Sequence, residues 1–376
     1  MDDPTLHEVG ELEALRRFLP LLPAGDVTDV GPGDDAAVVR APDGRFVVTT
    51  DTMLEGADFR LGWSTWHDLG WKAIATNLID VAAMGARPTS LVVALAVAPS
   101  TRVSALEAFA RGLADGIAAM APGCGVVGGD LGTAPHATIA VTAFGDLEGR
   151  APVLRSGAQV ADAVWCVGGI GLAATGLRRL FAEAQDEAAL PVTAAVARLR
   201  DGGHAPALAS QLAPVSPVAA GTLLADLGAT AMLDISDGLA LDAARIARAS
   251  GVRIALESAG VEAAAAEALA LGAGIEAALH GGEDHALLFT LPAGVTPPAE
   301  LAGHSVHRLG TVEPLAAADP AAEPLAAAGP AAQRAAGPAA EHAAGHVADP
   351  AAEPAFVTLD GAPLDPHGWD PYRASA

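Results

Sequence analysis

From Glu8 to Leu22 the apolar residues fall on one side of a helix, with Leu12, Leu15, Phe18, Leu19 and Leu22 in phase until Pro23 and Gly25 stop it. The period then changes from helical to extended. Ala36 to Val39, Arg45 to Thr49, Leu91 to Ala98 and Thr138 to Phe144 are short β-branched or continuously apolar runs bounded by Gly, Pro and Asp, which marks them as strands. A helix is expected over Asp68 to Met84. There Trp71, Ile74, Leu78 and Val81 form an apolar stripe, while Ala73, Asn77, Asp80 and Met84 recur on another face, so Asn77 and Asp80 point the same way. A second half begins near Arg150, where the loop-like GRAPVLRSGAQVAD leads into a strand at Ala163 to Val167 and the glycine-rich GGIGLAATGL. Ser236, Asp237 and Gly238 open a helix carrying Leu239, Ala243, Ile246 and Ala247, which Gly251 closes, and strand and helix alternate from there to Thr311.

The pattern collapses between Glu313 and Pro354 into Ala, Pro, Gly and a few charges. Large apolar residues that could offset ordering entropy are missing and prolines interrupt any long alanine helix, so residues 313–354 are expected to be a disordered insertion in a loop, with a helical linker as the alternative. AFVTLDGAPL beyond it reads as a hairpin. Two domains follow from this layout, 1–149 and 150–376, of mixed α/β (α+β) character.

Composition narrows the function. A formal net charge of -24 over 376 residues argues against a nucleic-acid or anionic-membrane partner, so a negatively charged substrate must be received through metal ions or a local basic group. Cys124 and Cys166 stand far apart with no CxxC spacing, which indicates neither a disulfide framework nor a zinc site. No apolar run approaches the roughly 20 residues needed to span a bilayer, and the amino terminus is acidic where a signal peptide is basic; a soluble cytoplasmic protein is expected.

Candidate chemistry lies in five segments that set an aspartate beside glycines or hydroxyls next to an apolar run: GPGDDAAVV, TTDTMLEGADF, NLIDVAAMGARP, VVGGDLG and MLDISDGL. Each aspartate alone can be a turn former or a cap. Asp80 cannot, since it sits on a helix face lined by Ala and Asn, and a metal ligand is the better account. In GGD, Gly128 and Gly129 let backbone amides approach a phosphate before Asp130 meets its metal. Asp234 and Asp237 flank Ser236 at the mouth of a helix whose free N–H groups face an anion. GGIGLAATG lacks the G-x-G-x-x-G spacing of a dinucleotide loop. In HGGEDH the two glycines make a zinc site from His280 and His285 doubtful, and a loop carboxylate touching substrate is preferred.

TTDTMLEGADF, WKAIATNLIDVAAMGARP, GGD, RSGA, MLDISDGL, ASGV, GGEDHALLF and GWDPY, in this order and spacing, resemble the thiamine-monophosphate kinase family, of the superfamily that includes aminoimidazole ribonucleotide synthetase and selenophosphate synthetase. The resemblance implies a two-domain fold whose N-terminal sheets join into a barrel across a homodimer, with ATP in the cleft between the domains. It implies several Mg²⁺ ions on Asp35, Thr49, Thr50, Asp51, Asp80, Asp130 and Asp234, a further ion on Asp237, and nucleotide contacts from Gly129, Asp130, Arg155 and Ser236; Asp51, Asp80, Asp130 and Asp237 carry catalysis. Glu283 and Trp369 fall where the family holds the thiamine moiety. The implied reaction moves the γ-phosphoryl of ATP onto the phosphate of thiamine monophosphate. Asp58 stands where the family has histidine, arginines are missing after GGD and in LAPVSPV, and Pro371 and Tyr372 replace a His-Phe ending. An altered small acceptor, or a catalytically silent nucleotide-binding homologue, therefore stays open.

Overall fold

The computed structural model describes residues 3–32, 37–315 and 355–368. Two helices, α1 (Leu6–Val9) and α2 (Glu11–Phe18), replace the single helix suggested by periodicity, because Gly10 at φ 76° breaks the run; a 3-10 turn at Leu19–Leu21 then tightens the end around Pro20. The helices α3 (Trp66–Ala83) and α4 (Val103–Met120) follow. A capping box fixes the start of α3: Thr65 Oγ1 accepts from the Asp68 amide at 3.1 Å, and the Asp68 carboxylate accepts from the Thr65 amide at 2.8 Å.

A two-stranded ribbon, β1 (Thr28–Val30) and β2 (Val38–Val39), precedes a four-stranded sheet of β3 (Val47–Leu54), β4 (Arg87–Val97), β5 (Gly125–Thr133) and β6 (Thr138–Asp146). The order across this sheet is β3-β6-β4-β5, which leaves β3 and β5 as its edges. Helix α3 packs on one face, against β3, β4 and β6, with α4 packed on α3. The opposite face is open: Val48 is 53% exposed and Leu54 46%, and Thr50, Thr52, Ala94 and Asp130 are exposed with them.

Helices α3 and α4 approach closely through paired glycines. A Cβ on Gly70 would stand 2.2 Å from the Phe109 carbonyl oxygen, and one on Gly112 would stand 2.1 Å from that of His67. Both obstacles are backbone, so a methyl group can be accommodated only by separating the helices. Gly112→Ala is expected to lower stability by about 3 kcal/mol in urea unfolding, at the upper end of ordinary overpacking.

The second sheet contains β7 (Ala163–Val167), β8 (Ala231–Ile235), β9 (Val252–Leu256), β10 (Ala286–Leu291), β11 (Glu300–Leu301), β12 (His304–Pro314), β13 (Val357–Leu359) and β14 (Ala362–Pro363). Its order is β14-β13-β9-β12-β7-β10-β8, with β11 beside β12. The terminal hairpin read from AFVTLDGAPL is the β13–β14 pair, and β13 runs parallel to β9. Between β7 and β9 lie α5 (Leu172–Glu183), α6 (Thr193–Arg200), α7 (Ala205–Leu212), α8 (Ala220–Asp226) and α9 (Leu239–Ser250), the last closed by Gly251 in the left-handed region at φ 67°. One apolar core joins the sheets, since Ile79, Val81 and Leu91 share a cluster with Val167, Met232, Leu287 and Phe289. A second core lies under α9, around Val164, Leu233, Ile246 and Ile254. Both cysteines are free thiols buried in these cores. No described helix is long and apolar enough to cross a membrane. Residues 316–354 of the Ala/Pro-rich stretch, Asp35 and Trp369 lie outside the described residues.

Candidate active site

The alternation of β3 sorts its polar run. Thr49 and Asp51 share the α3 side with the buried Met53, while Thr50 and Thr52 point to the open face. Thr50 is held there by donating to the Val141 carbonyl at 3.0 Å and accepting from Thr142 Oγ1 at 3.2 Å. Thr49 Oγ1 donates to Asp80 Oδ2 at 3.1 Å, so the strand meets the polar face of α3. Asp234, 5% exposed, comes from the end of β8 in the other sheet. A cavity between the sheets is lined by Thr49, Asp80, Asp234, Arg155, Phe46 and Met84 among others.

Burial first, then the neighbouring charges of Asp234 and Asp51, raise the Asp80 carboxyl from 3.8 to about 7, against the favourable hydrogen bond from Thr49. Nearby, His285 Nδ1 stands 3.8 Å from Asp234 Oδ2, and neither ring nitrogen has a hydrogen-bond partner. Burial disfavours the imidazolium, but Asp234, with Glu283 behind it, outweighs that effect and holds the ring above its ordinary value. Asn77, 1% exposed, donates through Nδ2 to the Ala73 carbonyl and leaves Oδ1 unpaired. Polar atoms without hydrogen-bond partners thus lie beside clustered acids whose nearest cationic group is His285. Among the described residues no lysine or arginine pairs with Asp51, Asp80 or Asp234.

The DISDG loop is not capped by Ser236 or Asp237. The N-cap position of α9 belongs to Gly238, at φ 115°, and the fully buried Asp242 reaches back from the first turn to accept from the Ser236 amide at 3.1 Å and the Asp237 amide at 3.0 Å. Arg245 then ties Asp242 Oδ1 and Asp237 Oδ2, each at 2.5 Å. Burial lifts Asp242 to about 7 despite Arg245. Asp242→Ala should free the loop, leave two amides unpaired and cost about 2 kcal/mol of stability in thermal unfolding, with nucleotide affinity measured by calorimetry falling in parallel.

There is a second cavity. It is lined by Asp58, Phe59, Trp63, Lys72, Gln211 and Glu283 among others. Asp58 accepts from the Leu54 amide at 2.7 Å; burial, then Glu283 and Asp51, raise its carboxyl. Lys72, 3% exposed, pairs with Glu283 Oε1 at 2.8 Å. Burial opposes ionisation of Glu283, and Lys72 beside it reverses the balance and lowers it. Glu283 (φ 69°) and His285 (φ 49°) are both in the left-handed region, in a segment that runs along the DISDG loop through Glu283 N to Ser236 O (2.7 Å) and His285 N to Ile235 O (2.8 Å).

Gly129 and Asp130 are elsewhere. A Cβ on Gly129 would stand 2.1 Å from the Val93 carbonyl oxygen, which explains glycine on that strand. Asp130 lies in the row Thr52–Ala140–Ala94–Asp130, on the open face and three strand spacings, about 14 Å, from β3. Gly129 and Asp130 border a separate apolar slot with Phe18, Phe109 and Leu113. Accordingly, no group of three or more His, Cys, Asp or Glu among the described residues encloses a metal position. Lys72, Gln211, Asp242 and Arg245 are the site residues that motif reading passed over, while His285 was weighed only as a zinc ligand. Lys72 and Asp242 carried a signal, a charge flanked by apolar residues on a helix that must be buried; Gln211 carried none.

The AIR synthase related protein N-terminal domain model matches residues 33–147. Thiamine-monophosphate kinase of Mycobacterium tuberculosis is 41% identical over 292 residues, covering 76% of this chain and 82% of that protein. The crystal structure of thiamine-monophosphate kinase from Stenotrophomonas maltophilia K279a superposes with a TM-score of 0.65 at 31% identity, covering 80% of this chain and 92% of that one. A structure of AaThiL complexed with AMPPCP and TMP gives a TM-score of 0.64 at 26% identity, covering 97% and 96%.

Proposed function

The chain belongs to the thiamine-monophosphate kinase family, and from that membership we propose how its residues carry out the family reaction, transfer of the γ-phosphoryl of ATP to the phosphate of thiamine monophosphate, giving thiamine diphosphate and ADP. The observation that carries the assignment to this site is the pair of cavities: one lined by Asp80 and Asp234 with Arg45 and Arg155, and the other with aromatic walls beside a carboxylate.

The acceptor oxygen belongs to a phosphate and is already nucleophilic, so no side chain need take its proton. What remains is alignment and charge neutralisation. Arg155 faces the triphosphate, Ser236 contacts the nucleotide at the loop fixed by Asp242, and Glu283 with the aromatic side chains receives the cationic heterocycle. Asp58 lines the second cavity, and Trp369 is assigned to the same substrate side. The donor set fits a divalent ion: the carboxylates of Asp80 and Asp234 and the unpaired Asn77 Oδ1 are oxygen donors of the kind Mg²⁺ takes. Bound Mg²⁺ would offset repulsion between the two anions. The proposed ligands are Asp35, Thr49, Thr50, Asp51, Asp80, Asp130, Asp234 and Asp237.

A homodimer resolves the remoteness of Asp130. The sheet ends in β3 on one side and β5 on the other. With the two-fold axis running along the barrel, β5 of one chain pairs with β3 of the other, which brings Gly129 and Asp130 beside the strand of Asp51 across the interface. The apolar slot beside Gly129 then suits a purine whose phosphates reach across. The proposed division is 1–149 for dimerisation, metal and nucleotide and 150–376 for the C-terminal domain, in a cytoplasmic enzyme. Purified protein with ATP, Mg²⁺ and thiamine monophosphate should form the diphosphate; ATP binding without product would favour the silent homologue.

A further inference from the structure

Beside the second cavity two histidines from distant parts of the chain lie face to face. His280 ends the short helix Glu276–His280, and His367 belongs to the stretch that follows the β13–β14 hairpin. Their rings stack with centroids 3.7 Å apart and planes 10° from parallel. A carbonyl oxygen only accepts, so His280 Nδ1 donates to the His367 backbone carbonyl at 2.9 Å. Glu276 Oε2 stands 3.3 Å from His280 Nε2 and Asp365 Oδ2 3.3 Å from His367 Nδ1, so a carboxylate flanks each ring at its edge. The His367 side chain stays 60% exposed, so this face-to-face contact, rather than enclosure in a core, keeps it in place. The next residue, Gly368, is pressed onto the DISDG loop: a Cβ there would stand 2.1 Å from the Asp237 carbonyl oxygen. The same loop backs His280, since a Cβ on Gly238 would stand 2.9 Å from the His280 carbonyl carbon. His280 and Gly368 both line the cavity.

We propose that the His280–His367 pair is a clasp that holds residues 365–368 against the second cavity and thereby sets its affinity for the phosphate acceptor. This rests on the reading of that cavity as the thiamine-phosphate site. Among the described residues, the hydrogen bond from His280 is the only one that ties 365–368 to the rest of the protein. Without the clasp, Gly368 would lose its seat and the cavity part of its wall. His280 and His367 are positioning residues, acting through the segment they hold and not on the reacting phosphates. The nucleotide side is insulated from them, because Asp242 and Arg245 tie the DISDG loop independently.

The test has a structural arm and a functional arm, both on the full chain. Modification of His280 by diethyl pyrocarbonate, followed by peptide mass spectrometry, should run about threefold faster or more in His367→Ala than in the parent, because the ring that covers it is gone. Binding is read by calorimetry with Mg²⁺ and a non-hydrolysable ATP analogue, and turnover with ATP. His280→Ala and His367→Ala should each weaken thiamine monophosphate about three- to tenfold in Kd and KM, with KM for ATP and kcat within about twofold of the parent. The double variant should be no worse than either single one, since both break the same contact. His367→Phe, which keeps a flat ring and the same carbonyl, should restore affinity to within about twofold. An unchanged rate of His280 modification, an unchanged acceptor affinity in both alanine variants, additive losses in the double variant or an equal loss toward ATP each overturn the proposal. Acceptor binding that shifts as stated but without turnover would sink the kinase reading and leave the clasp standing. If the parent binds no thiamine monophosphate, both fall.

Discussion

Asp80→Asn should abolish turnover by about a thousandfold or more while making the metal-free protein more stable at neutral and alkaline pH. Both effects have one cause. Asp80 is partly buried beside Asp234 and Asp51, and its carboxyl is raised from 3.8 to about 7. Between about pH 4 and 7 the folded state therefore holds a proton that the unfolded state has released, so stability of the metal-free protein falls as pH rises through that window, by up to about 4 kcal/mol for this one group. Asparagine preserves the hydrogen bond from Thr49 and removes the charge. The variant should show a flatter dependence of Tm on pH, and Mg²⁺ should raise Tm of the parent far more than of the variant. A parent Tm that climbs from pH 5 to 8 without metal would contradict this account.

Two inactive variants should regain activity when mixed. Asp51→Asn and Asp130→Asn, each near zero alone, are expected to recover about a quarter of parental activity after joint unfolding and refolding at equal amounts. Random pairing makes half the dimers mixed, and each mixed dimer would have one site with both aspartates. The basis is the sheet order: Asp130 is on an edge strand three spacings from the strand of Asp51 and on the opposite face. If both acids served one chain's site, every mixed dimer would remain inactive and no recovery would be seen.

Local pattern was enough for elements whose environment is simple. The strand at Ala163–Val167, the helix ending at Gly251 and the terminal hairpin follow from apolar runs and turn residues. The long helix around Asp80 did too, because one apolar face and one polar face are distinct in its sequence. β3 was harder: its run Thr49, Thr50, Asp51, Thr52 has no apolar alternation, yet the strand continues to Leu54 because its partner β6 supplies the pairing. Helices α6 and α7 are short, alanine-rich and low in contrast, so periodicity had little to act on. The DISDG loop illustrates a different limit. Spacing offered Ser236 and Asp237 as caps, whereas the stabilising carboxylate is Asp242, which acts from inside the helix. Which side of a sheet Asp130 serves depends on strand order, and that is set by long-range packing that no short window contains.

The point where the Ala/Pro-rich stretch joins the fold has a practical use. β12 ends at Pro314 opposite Val252, and β13 begins at Val357 opposite Ile254, so the chain departs and returns on either side of β9, about 10 Å apart. Closing a loop between anchors that close carries an entropy term that grows only logarithmically, about 0.6 kcal/mol per doubling of length. Evolution could lengthen or trim this junction with little thermodynamic penalty, and a fluorescent or affinity module could be grafted there by the same logic.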